Sequence, residues 1–342
     1  MIPLVDILPP ENSWQRQLRD AIDSPEQLVQ RLSLAPEQLL DHAAEAARHF
    51  PVKVPTAFLQ RMQPGNPEDP LLLQVMSTAQ ELQDAPGYTR DPVCETGRAN
   101  PSSGIIHKYQ GRVLLIASSA CAIHCRYCFR RHFPYDQNRN SRQEWQQALQ
   151  YIASDPEITE VILSGGDPLT VTDSHLCELV DLVAAIPRVK RLRIHTRLPV
   201  VIPDRVTEGL LNALERKPLQ VIVVIHANHP NEIDAAVASA MQRMRERGIT
   251  LLNQSVLLAG VNDNVDALAT LSERLFEAGA LPYYLHLLDK VQGAAHFDTD
   301  EARAGNLIAQ LNARLPGYLV PRLVREVAGA ESKVPVATPS AY

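Results

Sequence analysis

Three cysteines, Cys121, Cys125 and Cys128, stand four and three residues apart in the run Cys-Ala-Ile-His-Cys-Arg-Tyr-Cys. Thiols at this spacing are a metal-ligand set before they are packing elements, and three thiolates can hold three corners of a [4Fe–4S] cluster. The fourth iron then keeps an open position, where a small molecule can be bound and activated. A zinc site completed by His124 or His132, or thiols that merely pack, are the alternatives, although no second cysteine pair completes a zinc ribbon. Of the five cysteines only Cys94 and Cys177 lie elsewhere. That is no disulfide framework, and it points to a reducing compartment.

Other stretches carry usable groups. Gly165-Gly166-Asp167 follows an apolar run; its glycines leave backbone open to a ligand, and Asp167 adds a charge, although the same triplet is also an ordinary turn. His107-Lys108-Tyr109-Gln110-Gly111-Arg112 gathers cationic and hydroxyl groups directly before a strand-like run. His195, His226, His229 and His286 are either a metal set or strand-end hydrogen-bonding groups. Lys333 sits in a small-residue stretch from Val327 to Pro335, where composition alone makes it a solvated lysine.

The elements that must position these groups follow from periodicity. Apolar, β-branched runs recur at 113–117, 161–163, 192–194, 221–225, 251–258 and 283–288. Helical spacing separates them: Leu176, Leu179, Val180 and Val183 behind a capping Ser174, Val265 to Leu275 before Gly279, and a last helix over about 306–315. Strands alternating with helices imply βαβ units and a parallel sheet. Polar groups follow one strand after another, so a partial (β/α)6 TIM-like barrel with its site at the carboxyl rim fits better than an open doubly wound sheet with one switch point. Residues 1–106 read instead as short helices opened by prolines, at Ser24-Pro25-Glu26, at Pro36-Glu37 before Leu39, Leu40 and Ala43, and at Asp69-Pro70 through Leu73 and Val75. That region reads as an α-helical lobe without a catalytic role. The barrel takes 107–317 and a carboxyl-terminal segment 318–342.

Bulk properties bound the partners. The 342 residues are 45% hydrophobic with a net charge of -6, enough for a barrel plus an appendage. There is no Lys and Arg excess of the kind a nucleic-acid surface needs. No apolar run approaches the ~20 residues of a membrane span, and no basic-then-apolar leader opens the chain. A cytoplasmic protein acting on small molecules is expected, with no nucleic acid, no membrane and a possible homo-oligomer.

The cysteine spacing, with aromatic Tyr127 just before Cys128, resembles the signature of the radical S-adenosylmethionine enzymes. Over nearly the whole chain the resemblance narrows to the lysine 2,3-aminomutase family. It is carried by Arg-Val-Leu-Leu before the cysteines, Cys-Arg-Tyr-Cys-Phe-Arg-Arg-His-Phe-Pro, Ser-Gly-Gly-Asp-Pro-Leu, Leu-Asn-Gln-Ser-Val-Leu-Leu, Pro-Tyr-Tyr-Leu-His, and a lysine followed by Val-Pro.

The resemblance implies an isomerase that uses a [4Fe–4S] cluster on Cys121, Cys125 and Cys128, S-adenosylmethionine, and pyridoxal phosphate held as a Schiff base by Lys333. Tyr127, Gly165, Gly166 and Asp167 match positions that serve S-adenosylmethionine. Lys108, Tyr109 and Arg112 match those that clamp the cofactor phosphate, with Lys108 replacing an arginine fork by a point charge. Arg130 matches the group that grips the carboxylate of the substrate, L-lysine. Asp289 and Glu326 match the acids that receive its ε-ammonium, Glu326 standing where the family has aspartate.

Clostridial-type members continue past the Schiff-base segment with further cysteines, whereas this sequence stops at Tyr342. The compact length and the run from Asp289 to Phe297 resemble the branch that supplies (R)-β-lysine for elongation factor P through a lysyl-transferring ligase. An external electron donor is implied. A metabolic lysine, glutamate or arginine aminomutase remains the alternative within the family, and a non-catalytic iron–sulfur or zinc module the alternative outside it.

Overall fold

The computed structural model describes residues 13–35, 43–138, 142–215 and 218–337. Among these, nine strands form one sheet in strictly sequential order, β1 (Ile105–Tyr109), β2 (Arg112–Ser118), β3 (Glu160–Gly165), β4 (Arg191–Thr196), β5 (Gln220–Ile225), β6 (Thr250–Val256), β7 (Leu281–His286), β8 (Arg322–Arg325) and β9 (Val334–Pro335). Strands β2 to β8 are mutually parallel, while β1 on β2 and β9 on β8 are antiparallel. Helices Arg142–Ser154, Asp173–Ala184, Glu208–Leu214, Ala235–Glu246, Val265–Glu277 and Glu301–Arg314 fill the crossovers. Right-handed crossovers in unbroken order put every helix on one face, so the sheet curls with the other face inward. β1 and β9 remain unpaired edges, and the barrel is partial, as expected.

The two faces are written into the strands with a period of two. Val113 and Leu115 of β2, Val161 and Leu163 of β3, and Leu192 and Ile194 of β4 are buried in the main core. Burial of each such side chain is worth about 1.5–3 kcal/mol. The alternate residues, among them Arg112, Glu160, Ser164, Arg191, Arg193, His195, Gln254, His286 and Glu326, face a cavity of about 1350 Å³. Ordinary barrels fill this space with branched apolar side chains; here it is left open with charged groups among its apolar lining, larger than the ~300–1,000 Å³ typical of a single small-ligand pocket.

Several elements differ from their sequence reading. Helix Asp173–Ala184 is capped by Thr172, whose Oγ accepts from His175 N, so Ser174 lies inside its first turn. The segment opened by Asp69-Pro70 is only a short 3₁₀ turn, Leu72–Gln74. The helix start expected at Pro36-Glu37, with Leu39 and Leu40, lies outside the described residues. A seventh parallel strand, β8, was missed because its four residues carry too short an apolar pattern to register.

The amino-terminal region is not a detached lobe. Trp14, Leu28, Phe58, Leu72 and Met76 belong to the same apolar core as β2 to β6. Among the described residues no helix is long and apolar enough to cross a membrane.

At the β2–β3 contact, Gly165 has a φ of +125°, and a Cβ there would stand 2.2 Å from the Ser118 carbonyl oxygen. Gly165→Ala should therefore lose more stability than the roughly 1–3 kcal/mol attached to backbone strain alone. Urea unfolding followed by circular dichroism checks this, with Gly329→Ala, which is also at positive φ but has open space around it, as the comparison.

Candidate functional site

Cys121, Cys125 and Cys128 follow β2 and line the rim of the cavity together. Their loop carries almost no regular structure, and other parts of the chain hold its backbone. Lys53 Nζ donates to the Cys121 carbonyl at 2.9 Å, His124 N to the Lys53 carbonyl at 3.2 Å, and Arg126 N to the Gln74 carbonyl at 2.9 Å. Arg126 is 2% exposed and reaches Glu81 at 2.5 Å, the Leu73 carbonyl at 2.8 Å and Thr78 at 3.0 Å. Burial raises the Glu81 carboxyl, but His296 and Arg126 outweigh it and hold the group at about 2. The region read as catalytically silent thus shapes the cysteine loop.

The thiols themselves resist ionisation. Burial, followed by the neighbouring cysteines, pushes Cys121 well up and Cys128 to about 11. A trio of thiols in this setting gives up its protons to a strongly cationic partner, as metal ligands do. Among the described residues no group of three or more His, Cys, Asp or Glu side chains is placed to hold a single metal ion, the cysteine triad included. His124 turns to the Pro51 carbonyl at 2.8 Å, His226 bonds Tyr127 Oη at 2.8 Å, and His229 caps the turn at Asn231.

Gly165, Gly166 and Asp167 act mainly on this loop. Gly166 N donates to the Ser118 carbonyl at 2.8 Å and Asp167 N to the Ala120 carbonyl at 2.7 Å, so the glycines are needed for close approach to the chain entering Cys121. The free charge expected of Asp167 is not offered to a ligand. Its carboxylate is buried and accepts from Thr196 Oγ, Arg197 N, Leu198 N and Leu169 N, at 2.7 to 3.0 Å. Burial raises its pKa against those bonds.

Lys333 and its neighbours occupy the cavity wall where the sheet is unclosed. Glu326, just past β8, accepts from Lys333 Nζ at 2.8 Å, from Lys108 Nζ at 3.0 Å and from Tyr109 Oη. Side chains of β1 and β8 therefore bridge the gap that backbone pairing leaves. Burial pushes Glu326 up, yet the charges of Lys333 and Lys108 hold it well below the usual carboxylate range. Arg112 stacks on the Tyr109 ring, 4.6 Å from its centroid. Arg130 is bidentate to Glu95, at 2.6 and 2.8 Å, and donates to Ser164 at 2.8 Å. A carboxylate ligand would have to share that guanidinium with Glu95. Asp289 lines the same cavity, and burial pushes its carboxyl up to about 7 against the pull of Lys333.

For several residues the sequence placed the group at the rim but not its partner. Glu95 carries no local pattern and is found only through Arg130. His195 was placed at a strand end; its Nε2 is shut from water without a partner, and burial and then the charges of Arg193 and Lys333 keep the ring neutral. Of Asn253, Gln254 and Ser255, only Gln254 faces the cavity, since Asn253 and Ser255 bond the Ala227 backbone. Arg197 reaches Cys125 Sγ at 2.8 Å, a partner 72 residues earlier in the chain that no local pattern points to.

Residues 115–271 match the Radical SAM superfamily. This defines the class, one that binds a [4Fe–4S] cluster and S-adenosylmethionine, and Cys121, Cys125 and Cys128 line one cavity with thiols of the kind such a cluster takes. The chain is 48% identical over 328 residues to the L-lysine 2,3-aminomutase of Escherichia coli (strain K12), covering 96% of this chain and 95% of that protein. It is 48% identical over 333 residues to that of Haemophilus influenzae, covering 97% and 98%. Against that of Clostridium subterminale it is 35% identical over 326 residues, covering 95% of this chain and 78% of the longer relative. The chain belongs to the lysine 2,3-aminomutase family, a family of isomerases.

Cys94 is exposed, and the Cys177 thiol bonds Asp181 at 3.6 Å. Replacing either by serine should leave the iron content of reconstituted protein unchanged. Serine at position 121, 125 or 128 should abolish the cluster's visible absorption, and loss of iron in Cys94→Ser or Cys177→Ser would move the ligand set.

Proposed function

We propose that this protein is a pyridoxal-phosphate-dependent L-lysine 2,3-aminomutase whose product, (R)-β-lysine, is destined for attachment to elongation factor P. The observation that carries the reaction is the wall of one cavity, which holds Lys333, the carboxyls of Asp289 and Glu326, and Arg130 within the space rimmed by the three cysteines. A diamino acid needs acids for its distal ammonium and a guanidinium for its carboxylate, and the two acids favour a cationic side chain over glutamate. The names of the Escherichia coli and Haemophilus influenzae relatives support the same reaction. The link to elongation factor P rests on resemblance in the run from Asp289 to Phe297. The reading also takes 1–106 as a helical region, 107–317 as the barrel, 318–342 as the lysine-bearing segment, and a cytoplasmic location.

When bound, the cluster with S-adenosylmethionine supplies a carbon radical able to take hydrogen, and pyridoxal phosphate supplies an electron sink for the moving amino group. The chain's own residues orient and hold. Lys108, Tyr109 and Arg112 lie at the bridged gap of the sheet, where a phosphate beside Lys333 would meet them. Arg130, sharing its guanidinium between Glu95 and the ligand, donates to the substrate carboxylate. Lys333 donates to Glu326 Oε2 at 2.8 Å, and a lysine nitrogen engaged by cofactor frees that oxygen for the substrate ammonium while Oε1 stays with Lys108 and Tyr109.

Asp289 gives the reaction a pH signature. Its carboxyl stands near 7, against an ordinary value of about 3.9. The folded protein thus holds an extra proton between these values, and Asp289 withdraws stability as pH rises through that window. An ammonium ligand needs the ionised form, so KM for lysine should fall as pH rises through about 7 and then level off. Asp289→Asn should remove that limb and raise KM roughly ten- to a hundredfold, the worth of a charge-assisted hydrogen bond of about 1.5–3 kcal/mol. An unchanged profile would assign Asp289 to structure.

Anaerobic reconstituted protein given lysine, S-adenosylmethionine and dithionite should form (R)-β-lysine, read by chiral chromatography. Predominant (S)-β-lysine would detach the protein from translation, and no turnover of lysine would overturn the substrate. Borohydride should fix pyridoxal phosphate to one peptide, the one containing Lys333; a label at Lys290 or Lys108 would relocate the site.

A further inference from the structure

Arg197 closes β4 and is 6% exposed. Its Nη1 donates to Cys125 Sγ at 2.8 Å, and its Nη2 to Gln74 Oε1 at 2.7 Å and Glu232 Oε2 at 2.9 Å. The guanidinium lies between the rings of Phe58 and Tyr127, 5.3 and 5.9 Å from their centroids. Its backbone N is fixed by the Asp167 carboxylate at 2.7 Å. Glu232 is fully buried, accepts further from Asn228 N at 2.8 Å and from Gln74 at 3.2 Å, and cannot swing away. The donor is therefore fixed from both sides, with charge, stacking and backbone holding one N–H on one sulfur. This is far more than surface arginines receive. The three contacts leave Nε buried without a partner, and that desolvation cost is borne in a position that puts one N–H on a thiol of the cysteine triad.

We infer that Arg197 is a positioning residue for electron uptake, setting the reduction potential of the cluster held by Cys121, Cys125 and Cys128 through its hydrogen bond to Cys125, with Glu232 as the opposing charge. The inference rests on the assignment of the cluster to these cysteines. Reduction adds one electron to the cluster, supplied by an external one-electron donor, and the added negative charge falls partly on the ligand sulfurs. A cationic N–H on one of those sulfurs stabilises the reduced form more than the oxidised form, and hydrogen bonds to the sulfurs are among the determinants of such potentials. The carboxylate of Glu232 acts with the opposite sign from the same pocket. The potential is then a difference between two buried charges, and each can be removed separately.

That opposition supplies the test. Arg197→Gln, Arg197→Lys and Glu232→Gln are reconstituted anaerobically beside the unaltered protein, and the reduced cluster is followed by electron paramagnetic resonance in a potentiometric titration without substrate. Arg197→Gln should shift the midpoint to more negative values, changing the ratio of reduced to oxidised cluster at a fixed potential by roughly tenfold, about 59 mV for a one-electron couple. Arg197→Lys, which keeps the charge and loses the fork, should shift it the same way by less. Glu232→Gln should shift it to more positive values. General loosening of the loop cannot produce opposite signs. Unchanged midpoints in Arg197→Gln and Glu232→Gln, or shifts of the same sign in both, overturn the inference. If Arg197→Gln fails to take up iron, Arg197→Lys and Glu232→Gln decide. Failure of the unaltered protein to show a reducible cluster would instead refute the cluster assignment on which the inference rests.

Discussion

The burial of charged groups along the inner face of one sheet constrains this structure throughout. A barrel whose inner face carries arginines, lysines and acids must pair them, because an isolated buried charge costs several kcal/mol. The pairs are there: Arg130 with Glu95, Arg193 with Glu160, Arg197 with Glu232, and Lys108 and Lys333 sharing Glu326. Asp289 stands outside this scheme, with no ion pair among the described residues, and burial raises its pKa against the pull of Lys333. Lys108 and Lys333 share one carboxylate while Asp289 is left without a cation of its own, so a cationic ligand can pair with Asp289 without displacing a side chain of the protein.

The same constraint explains how an irregular loop becomes a fixed ligand set. The stretch from Cys121 to Cys128 forms few bonds within itself, so its shape is borrowed from Lys53, Gln74 and Glu81 of the amino-terminal region, from the Gly165-Gly166 backbone of β3, and from Arg197 of β4. Each contact is polar and most are buried, where a hydrogen bond is stronger and its loss costlier than in water. The amino-terminal residues thus belong to the working parts of the molecule. The polar bridge from Glu326 to Lys108 and Tyr109 does for the unclosed edges of the sheet what backbone pairing does elsewhere, and it puts Lys333 at that seam.

How much of this was legible in the sequence depended on how local the physics is. The alternation of strands and helices, the six-unit count and the partial barrel could be read because periodicity of two and of about 3.6 is a property of neighbouring residues. The cysteine triad could be read because its spacing lies within eight residues, and Lys333 only through resemblance, since a lysine among small residues is ordinary. Ser174 was misread as a cap because Thr172, two residues earlier, offers the same chemistry, and the geometry of the turn alone chooses between them.

The sequence by itself determined which residues could ligate a cluster and which strands would carry polar groups to one rim, because both depend on residue type and short-range order. Tertiary structure alone decided what those groups are free to do. It directed the carboxylate of Asp167 into its own turn, bound Arg130 to Glu95 across thirty-five residues, joined Lys333 to Lys108 through Glu326, and aimed Arg197 at Cys125. Partners so distant in the chain leave no trace in local pattern; they are selected when the sheet curls and each buried charge must find the nearest group of opposite sign.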